Sequence, residues 1–201
     1  MKILLLFDVD FEINKNRICD FLNNKTTHLK FVNGGDINID SDIISKPDSF
    51  ISILNKINKK IHEFDKIFCF TEKQYIDNYF FHEYKKLSIF SFWGWIYLTD
   101  LSKNNGLLYF IVDYLSLYID DIDFRHKITT GCIYDFLQNK TGIDDGMRQA
   151  RICPTCLERI SNNLSSPEQI NILEDLKILM NFLSDSSKWN QDILDLVIPQ
   201  H

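Results

Sequence analysis

Short apolar runs alternate with amphipathic stretches along the first half of the chain. Apolar runs of strand length lie at residues 3–7, 28–32, 66–70 and 87–92. Apolar residues at helical spacing lie between them, at 11–24 and 47–64. Because strands that alternate with helices usually form parallel sheets covered on both faces, this pattern predicts an α/β fold with a mixed, mostly parallel sheet.

The second half of the chain is predicted to be helical at both ends and irregular between them. Residues 106–119 are apolar almost all round, which is typical of a helix buried in a core. Ser166-Pro167-Glu168-Gln169 is typical of a capped helix start. The apolar stripe of that helix consists of Ile172, Leu176, Leu179 and Leu183, and a short helix is predicted at 189–197. We expect an α/β domain at 1–164 and a C-terminal helical extension at 165–201 packed on it. The domain would include an irregular segment at 120–156, within a segment at 120–160 that contains three cysteines and a histidine.

The composition is that of a folded, acidic protein. Of 201 residues, 45% are hydrophobic and 13% aromatic, which is enough apolar material for a core and argues against disorder. The net charge of −6 argues against a general nucleic-acid coat, because phosphate neutralisation drives such binding. Most of the arginines nevertheless fall close together, at Arg125, Arg148, Arg151 and Arg159. They form either a solvated surface or an anion-binding contact surface, since arginine binds carboxylates and phosphates with two hydrogen bonds.

The apolar stretches lack the length of targeting or membrane segments. The run after Met1 meets Asp8, whereas a signal peptide needs a longer apolar stretch. The stretch 107–119 contains Asp113 and is shorter than the roughly 20 apolar residues of a membrane helix. Five cysteines, an odd number, with two in a C-x-x-C pair, fit a reducing compartment. We therefore expect a cytoplasmic protein that does not bind a membrane.

Four potential metal ligands follow in the pattern His126-x5-Cys132-x20-Cys153-Pro-Thr-Cys156. Zinc prefers tetrahedral sulfur and nitrogen ligands, and structural zinc sites take all four ligands from the protein. The pattern therefore predicts one structural zinc ion. Its binding would also explain how residues 120–156 stay ordered without an obvious apolar period.

Three alternatives to this ligand set are open on the sequence alone. The C-x-x-C pair could be a redox pair, although such a pair normally opens the helix after an early strand. His126 could lie at the surface, with Asp135 or a water molecule as the fourth ligand. All the cysteines could be inert core residues, which is the favoured interpretation for Cys19 and Cys69.

In the order and spacing of these four residues the chain resembles the archaemetzincins, a family of zinc metallopeptidase-like proteins. The resemblance covers residues 65–160, and KIFCFTEKQYIDNYFF followed by LSIFSF resembles the family's strand, loop and edge strand. It implies the family's scaffold and structural zinc site, with His126 where a Cys would stand. The catalytic H-E-x-x-H should fall near 108–125, which contains no His, and the Met of the family's turn is absent near Tyr134. This departure implies a pseudoenzyme without peptidase activity.

Carboxylates near the predicted site are further candidates for chemistry. Asp113 lies within the apolar helix, and a buried acid is costly unless it is paired, which makes it a candidate catalytic group. Alternatively, it faces a polar seam or caps a neighbouring element. Asp120, Asp121 and Asp123 either orient His126 through its second ring nitrogen or form a plain acidic loop.

The sequence favours a zinc-stabilised, non-catalytic protein that acts as a binding or regulatory component of a protein complex. The contact surface would be the arginine-rich region. One alternative is a divergent hydrolase, peptidase-like or nuclease, with an unrecognised active site. Another is a nucleic-acid or nucleotide-binding module that uses the arginine-rich surface.

Overall fold

The computed structural model of the protein describes residues 1–44, 48–119, 125–137 and 140–184. The chain forms two compact units. Unit 1 consists of Met1–Asn24 and Leu29–Trp95, and unit 2 consists of Lys25–His28 and Ile96–His201. Each unit is therefore assembled from two separate stretches of the chain.

Within the described residues, unit 1 contains a five-stranded sheet and a separate pair of short strands. The strands are β1 (Lys2–Asp8), β2 (Lys30–Ile37), β3 (Ile43–Ile44), β4 (Lys66–Thr71), β5 (Gln74–Tyr75), β6 (Phe81–Tyr84) and β7 (Leu87–Ser91). The sheet has the order β2-β1-β4-β7-β6, and only β6 is antiparallel to its neighbour. Strands β3 and β5 pair in parallel. The predicted mixed, mostly parallel sheet is confirmed.

The central strands are buried on both faces, as their continuous apolar runs predict. Helix α1 (Lys15–Lys25) follows β1, and helix α2 (Asp48–Ile57) precedes β4. Phe50 of α2 belongs to an apolar cluster on the sheet face formed by residues such as Leu4. Phe7 and Phe70 point to the opposite face, where their ring centroids lie 5.7 Å apart.

Two element boundaries in unit 1 differ from the predicted ones. Strand β2 does not end before Asn33-Gly34-Gly35 but continues to Ile37, with a register shift against β1. A Cβ at Gly34 would lie 2.6 Å from Leu6 Cδ2, and Gly35 has a φ of +80°. The two glycines therefore form an irregularity within the strand and not a turn that ends it. The helix predicted at 47–64 is also shorter, because α2 gives way to a 3-10 helix at Asn58–Glu63.

Unit 2 is helical in its described residues. Its helices are α3 (Lys103–Ile119), α4 (Gly142–Gln149), α5 (Pro154–Asn163) and α6 (Pro167–Ser184). Helices α3, α4 and α6 contact one another. The predicted stripe of α6 is buried, and Ser166 Oγ accepts a hydrogen bond from the Gln169 N–H at 3.2 Å, as a capping residue does. In the described residues, no helix has the length and apolar character needed to cross a membrane.

Helix α4 was not predicted, since residues 120–156 were expected to be irregular. It has only eight residues, including Asp144, Asp145 and two glycines, so its helix propensity is low. Its apolar face is limited to Ile143 and Met147, which are buried one turn apart. The short helix predicted at 189–197 and the acids at 120–123 lie outside the described residues, and the predicted division at 164/165 stays a prediction.

Candidate metal centre

His126 and Cys132 lie on one loop, residues 125–136, that folds back on itself in unit 2. The N–H of His126 donates to the Tyr134 carbonyl at 2.9 Å, and the Phe136 N–H donates to the His126 carbonyl at 2.8 Å. The loop is also paired with the chain beyond α4, because the Ile133 N–H donates to the Arg151 carbonyl at 2.8 Å. These bonds fix the backbone at both potential ligands.

Asp135 organises the turn that presents Cys132. Its side chain is completely buried, and its Oδ2 accepts hydrogen bonds from the N–H groups of three consecutive residues, Thr130, Gly131 and Cys132, at 2.6–3.2 Å. The Thr130 hydroxyl donates a further bond at 2.8 Å. The carboxylate thus satisfies donors that a buried turn would otherwise leave unpaired. Asp135 supports the site in this way. Its two carboxylate oxygens accept these hydrogen bonds and do not lie in the position of a metal ligand.

Gly131 allows this turn to form immediately before Cys132. Its φ is +75°, a conformation that side chains other than glycine's rarely adopt. A Cβ at this position would lie 2.2 Å from Cδ of Gln149 at the end of α4. Ala150, the next residue, adopts a left-handed conformation (φ 37°) that ends α4 and redirects the chain toward Arg151.

Cys153 and Cys156 lie at the start of helix α5. Cys153 is the N-cap residue, and its sulfur accepts a hydrogen bond from the Cys156 N–H at 3.5 Å. Pro154 occupies the first turn, where its missing N–H costs nothing and its fixed φ favours the helix. The C-x-x-C spacing thereby directs both sulfurs to the same end of α5.

The four potential ligands converge. One ligand atom from each of His126, Cys132, Cys153 and Cys156 lies within 4.8 Å of all the others. His126 Nε2 is 3.3 Å from the Cys153 sulfur and 3.1 Å from the Cys156 sulfur. A tetrahedral zinc ion with bonds of about 2.0–2.3 Å needs ligand atoms roughly 3.5–3.8 Å apart. The donor types therefore fit zinc, and the two distances from His126 to sulfur are a few tenths of an ångström shorter than this geometry requires. His126 lies in the cluster, in the place for which Asp135 was the alternative.

The local environment gives the thiols of Cys153 and Cys156 different pKa values. Burial raises the pKa of Cys156 to about 12, with a further contribution from Cys132. Burial also acts on Cys153, but hydrogen bonds, first that from the Cys156 N–H, lower its pKa to about 7. A cysteine with a low pKa at a helix start is also typical of a redox pair. Here a histidine and a third cysteine lie beside the pair, which favours metal binding.

Cys19 and Cys69 belong to unit 1 and are not members of this cluster. Both are buried, and burial raises the pKa of each thiol, that of Cys19 to about 12. A protonated, buried thiol is a poor nucleophile and a poor ligand. Their predicted place in the core is confirmed, and their inertness stays a prediction.

Asp113 forms a buried ion pair with Arg125. Arg125 Nη2 donates to Asp113 Oδ1 at 2.9 Å, and the two side chains are 9% and 7% exposed, respectively. Arg125 Nη1 also donates to the Asp135 carbonyl at 3.1 Å, which ties the pair to the ligand loop. Burial raises the pKa of Asp113, and Arg125 opposes part of that change. The carboxylate named as a candidate catalytic group is thus paired with Arg125, and a catalytic role for it stays a prediction.

The four arginines of the arginine-rich region have different environments. The Arg125 side chain is too buried to contribute to a contact surface. Arg148 is exposed and pairs with Asp100 and Asp144, whereas Arg151 is exposed and donates to the Thr130 carbonyl. Arg159 is half-buried beside Cys156. A shared binding role for them stays a prediction.

Comparison with known proteins gives a likeness of fold. No protein-family model matches the sequence, and no curated protein matches it. The structure is similar to a zinc-dependent peptidase from Methanocorpusculum labreanum, with a TM-score of 0.49 and 16% identity over 79% of this chain and 99% of that one. It is also similar to archaemetzincin from Methanopyrus kandleri, with a TM-score of 0.47 and 14% identity over 81% and 94% of the two chains.

Proposed function

We propose that His126, Cys132, Cys153 and Cys156 bind one Zn²⁺ and that this ion has a structural role. The observation that carries the proposal is the convergence of three sulfurs and one imidazole nitrogen within 4.8 Å of one another. Four ligands from the protein complete a tetrahedral coordination and leave no position for a substrate or a reactive water. When bound, zinc supplies a cross-link between the ligand loop and the start of α5.

Metal analysis of the purified protein tests the ligand set. We expect one zinc per chain, and an affinity lower by on the order of a hundredfold when His126, Cys132, Cys153 or Cys156 is replaced singly by alanine. Cys19→Ala is the matched control, because it removes a buried thiol that is not in the cluster, and it should leave the affinity unchanged. Equal zinc content in the Cys132→Ala and Cys19→Ala proteins would refute the proposed ligands.

Cobalt substitution distinguishes a structural site from a catalytic one. Co²⁺ adopts the same tetrahedral geometry and its visible absorption depends on its ligands. With four protein ligands, added azide should leave the spectrum unchanged, because no coordination position is open to it. A site with three protein ligands would bind the anion and change its spectrum, and that result would favour the alternative of a divergent hydrolase.

We further propose that the zinc-stabilised unit acts as a non-catalytic binding or regulatory component of a protein complex. Two features support this: the complete ligand set and the engagement of Asp113 by Arg125 at 2.9 Å. Turnover of a peptide, ester or nucleic acid that is lost in Asp113→Asn, while zinc content and folding are retained, would contradict it.

The alternative of nucleic-acid binding is tested through the exposed arginines, Arg148 and Arg151. A nucleic-acid site would show affinity that falls steeply with added salt, since phosphate contacts release counterions. We expect no such binding to a mixed set of single- and double-stranded oligonucleotides. Salt-dependent binding that disappears in the protein with both Arg148→Ala and Arg151→Ala would replace our proposal with this one.

A further inference from the structure

Each of the three sulfurs in the cluster accepts a hydrogen bond from an N–H group. The Cys132 sulfur accepts from the Cys153 N–H at 3.3 Å, and the Cys153 sulfur accepts from the Cys156 N–H at 3.5 Å. The Cys156 sulfur accepts from Arg159 Nη2 at 3.6 Å. Two of these donors belong to the backbone, but the third belongs to a side chain. The environment of Cys156 therefore depends on the identity of residue 159.

The position of Arg159 follows from helix geometry and from an aromatic ring. Arg159 lies three residues after Cys156 on α5, so both side chains lie on the same face of the helix. The guanidinium carbon lies 5.7 Å from the centroid of the Tyr134 ring, a cation–π distance. Tyr134 is fully buried, and its hydroxyl donates to the Ser116 carbonyl at 3.0 Å. A fixed ring thus holds the guanidinium beside the sulfur.

Tyr134 also connects Arg159 to the histidine ligand. Its carbonyl accepts the His126 N–H at 2.9 Å, while its ring contacts Arg159. One buried residue therefore supports two of the four ligands, His126 through the backbone and Cys156 through Arg159.

The net charge of the zinc-bound site explains why a cation beside Cys156 would be favourable. Three thiolates, a neutral imidazole and a doubly charged zinc ion leave one net negative charge in a largely buried place. Uncompensated buried charge is costly, and a cation in contact with a thiolate offsets it. Arg159 supplies one positive charge at hydrogen-bond distance from Cys156, so that the site and its neighbour are together neutral.

We propose that Arg159 is a positioning and charge-compensating residue for the zinc site, which withdraws electron density from the Cys156 thiolate and slows loss of the metal. The inference rests on the proposed zinc site and assigns to Arg159 a role in place of the contact-surface role predicted from the sequence. Groups that hydrogen-bond to metal ligands alter metal affinity by about 10–100-fold when removed.

The test compares Arg159→Gln with Arg159→Lys and with Arg148→Gln. Glutamine keeps the helix propensity but removes the charge, lysine restores the charge, and Arg148 is an arginine of the same unit that contacts carboxylates and not the cluster. We expect zinc affinity, measured by competition with a chelator, to fall about tenfold in Arg159→Gln, to recover partly in Arg159→Lys and to be unchanged in Arg148→Gln.

Two further measurements separate this role from general stability. In the cobalt-loaded protein, the sulfur-to-metal charge-transfer band should move to lower energy in Arg159→Gln, because the thiolate becomes more electron-rich. Iodoacetamide, which forms a carbon–sulfur bond with a thiolate and releases iodide, should displace zinc several-fold faster from this variant.

Urea unfolding of the metal-free proteins monitors folding. If Arg159→Gln does not fold, the band position in Arg159→Lys relative to the unsubstituted protein decides in its place.

The outcomes separate this inference from the proposal on which it rests. If the unsubstituted protein binds neither zinc nor cobalt through sulfur, the proposed zinc site fails, and the inference fails with it. If it binds both and Arg159→Gln shows unchanged affinity, band position and alkylation rate, only the role of Arg159 is overturned. Equal effects in Arg159→Gln and Arg148→Gln would also overturn it, because they would reflect net charge and not contact.

Discussion

The two units each contain a completely buried carboxylate, but the two groups act differently. In unit 1, Asp8 accepts hydrogen bonds from the Thr71 hydroxyl at 2.6 Å and the Ile39 N–H at 3.3 Å, and it faces Lys73 Nζ at 3.6 Å. The adjacent Val9 N–H also donates to Asp8, at 2.9 Å, but the other partners are 31 or more positions away in the chain. In unit 2, the groups that donate to the Asp135 carboxylate, three N–H groups and the Thr130 hydroxyl, lie within the five residues that precede it.

This difference separates a carboxylate that strengthens a fold from one that defines a local conformation. The strands that bring partners to Asp8 are already specified by apolar runs, so the carboxylate joins elements that exist without it. The loop of Asp135 has no regular secondary structure and no apolar period, so the carboxylate itself determines where Cys132 lies. We therefore expect similar chemistry to affect the proposed zinc site in unit 2 and not in unit 1.

The largest effect is expected for Asp135→Ala. It leaves buried backbone donors of Thr130, Gly131 and Cys132 without an acceptor, which should lower the free energy of unfolding by about 4 kcal/mol. Zinc affinity should fall at least tenfold, on the order of outer-ligand effects at metal sites. Urea unfolding and chelator competition measure the two quantities.

Asp8→Ala is the matched variant in unit 1. It should cost about 3 kcal/mol of unfolding free energy and leave zinc affinity unchanged. If Asp8→Ala lowered zinc affinity as much as Asp135→Ala, the proposed difference between the two carboxylates would be contradicted.

The ion pair of Asp113 and Arg125 should give the next largest effect. Replacing either residue alone, as in Asp113→Leu or Arg125→Leu, leaves a buried charge without its partner and should cost about 3 kcal/mol. The two substitutions together should cost less than their sum. A double-mutant cycle measured by urea unfolding gives the coupling, and additive costs would show that the pair is not a unit.

Two glycines with similar backbone conformations should differ by unit. Gly131 and Gly35 have φ values of +75° and +80°, so alanine at either position is strained by about 1–2 kcal/mol. A Cβ at Gly131 would also meet the Gln149 side chain at 2.2 Å, whereas nothing lies within 4 Å of one at Gly35. Gly131→Ala should therefore cost more, and it alone should reduce zinc affinity. Equal costs, with zinc affinity unchanged in both, would contradict this.

The effect that is smallest near neutral pH concerns Cys19 in unit 1, because it develops only above about pH 9. Burial, and then the charge of Asp20, raises the pKa of Cys19 to about 12. In the unfolded chain this thiol loses its proton near pH 9, while the folded protein keeps it. Between about pH 9 and 12 the folded state binds more protons, so the free energy of unfolding falls as pH rises, by at most about 1.4 kcal/mol per pH unit for one group. Urea unfolding at pH 8–11 should show a shallower decline in Cys19→Ala.

The sheet was predictable because its signal is local and apolar. Each central strand is a continuous hydrophobic run, and burial on both faces requires such a run. The continuation of β2 through Gly34 and Gly35 was missed because two adjacent glycines are more typical of a turn. Helix α4 was missed because its eight residues provide too few apolar positions to define a period.

The cluster of ligands was predictable in composition but not in its support. The spacing of cysteines and histidine predicts the four residues that converge, because zinc chemistry restricts the residue types. The role of Asp135 was not predictable, since its partners are backbone N–H groups, which every sequence contains. Gly131, directly before Cys132, was the one available signal of a special turn. The contact of Arg159 with Cys156 was not predictable, because it depends on where α5 begins, at Pro154.

The connectivity of unit 2 has a consequence for how the chain can be divided. The N–H groups of Thr27 and His28, from the short stretch Lys25–His28, donate to the buried Asp175 of α6 at 2.9 Å and 2.7 Å. Unit 2 is therefore complete only when residues separated by almost 150 positions are present together. No single cut, fusion point or recombination event can separate the two units as intact modules, and during synthesis the carboxylate that binds this stretch emerges only after all of unit 1 has been made.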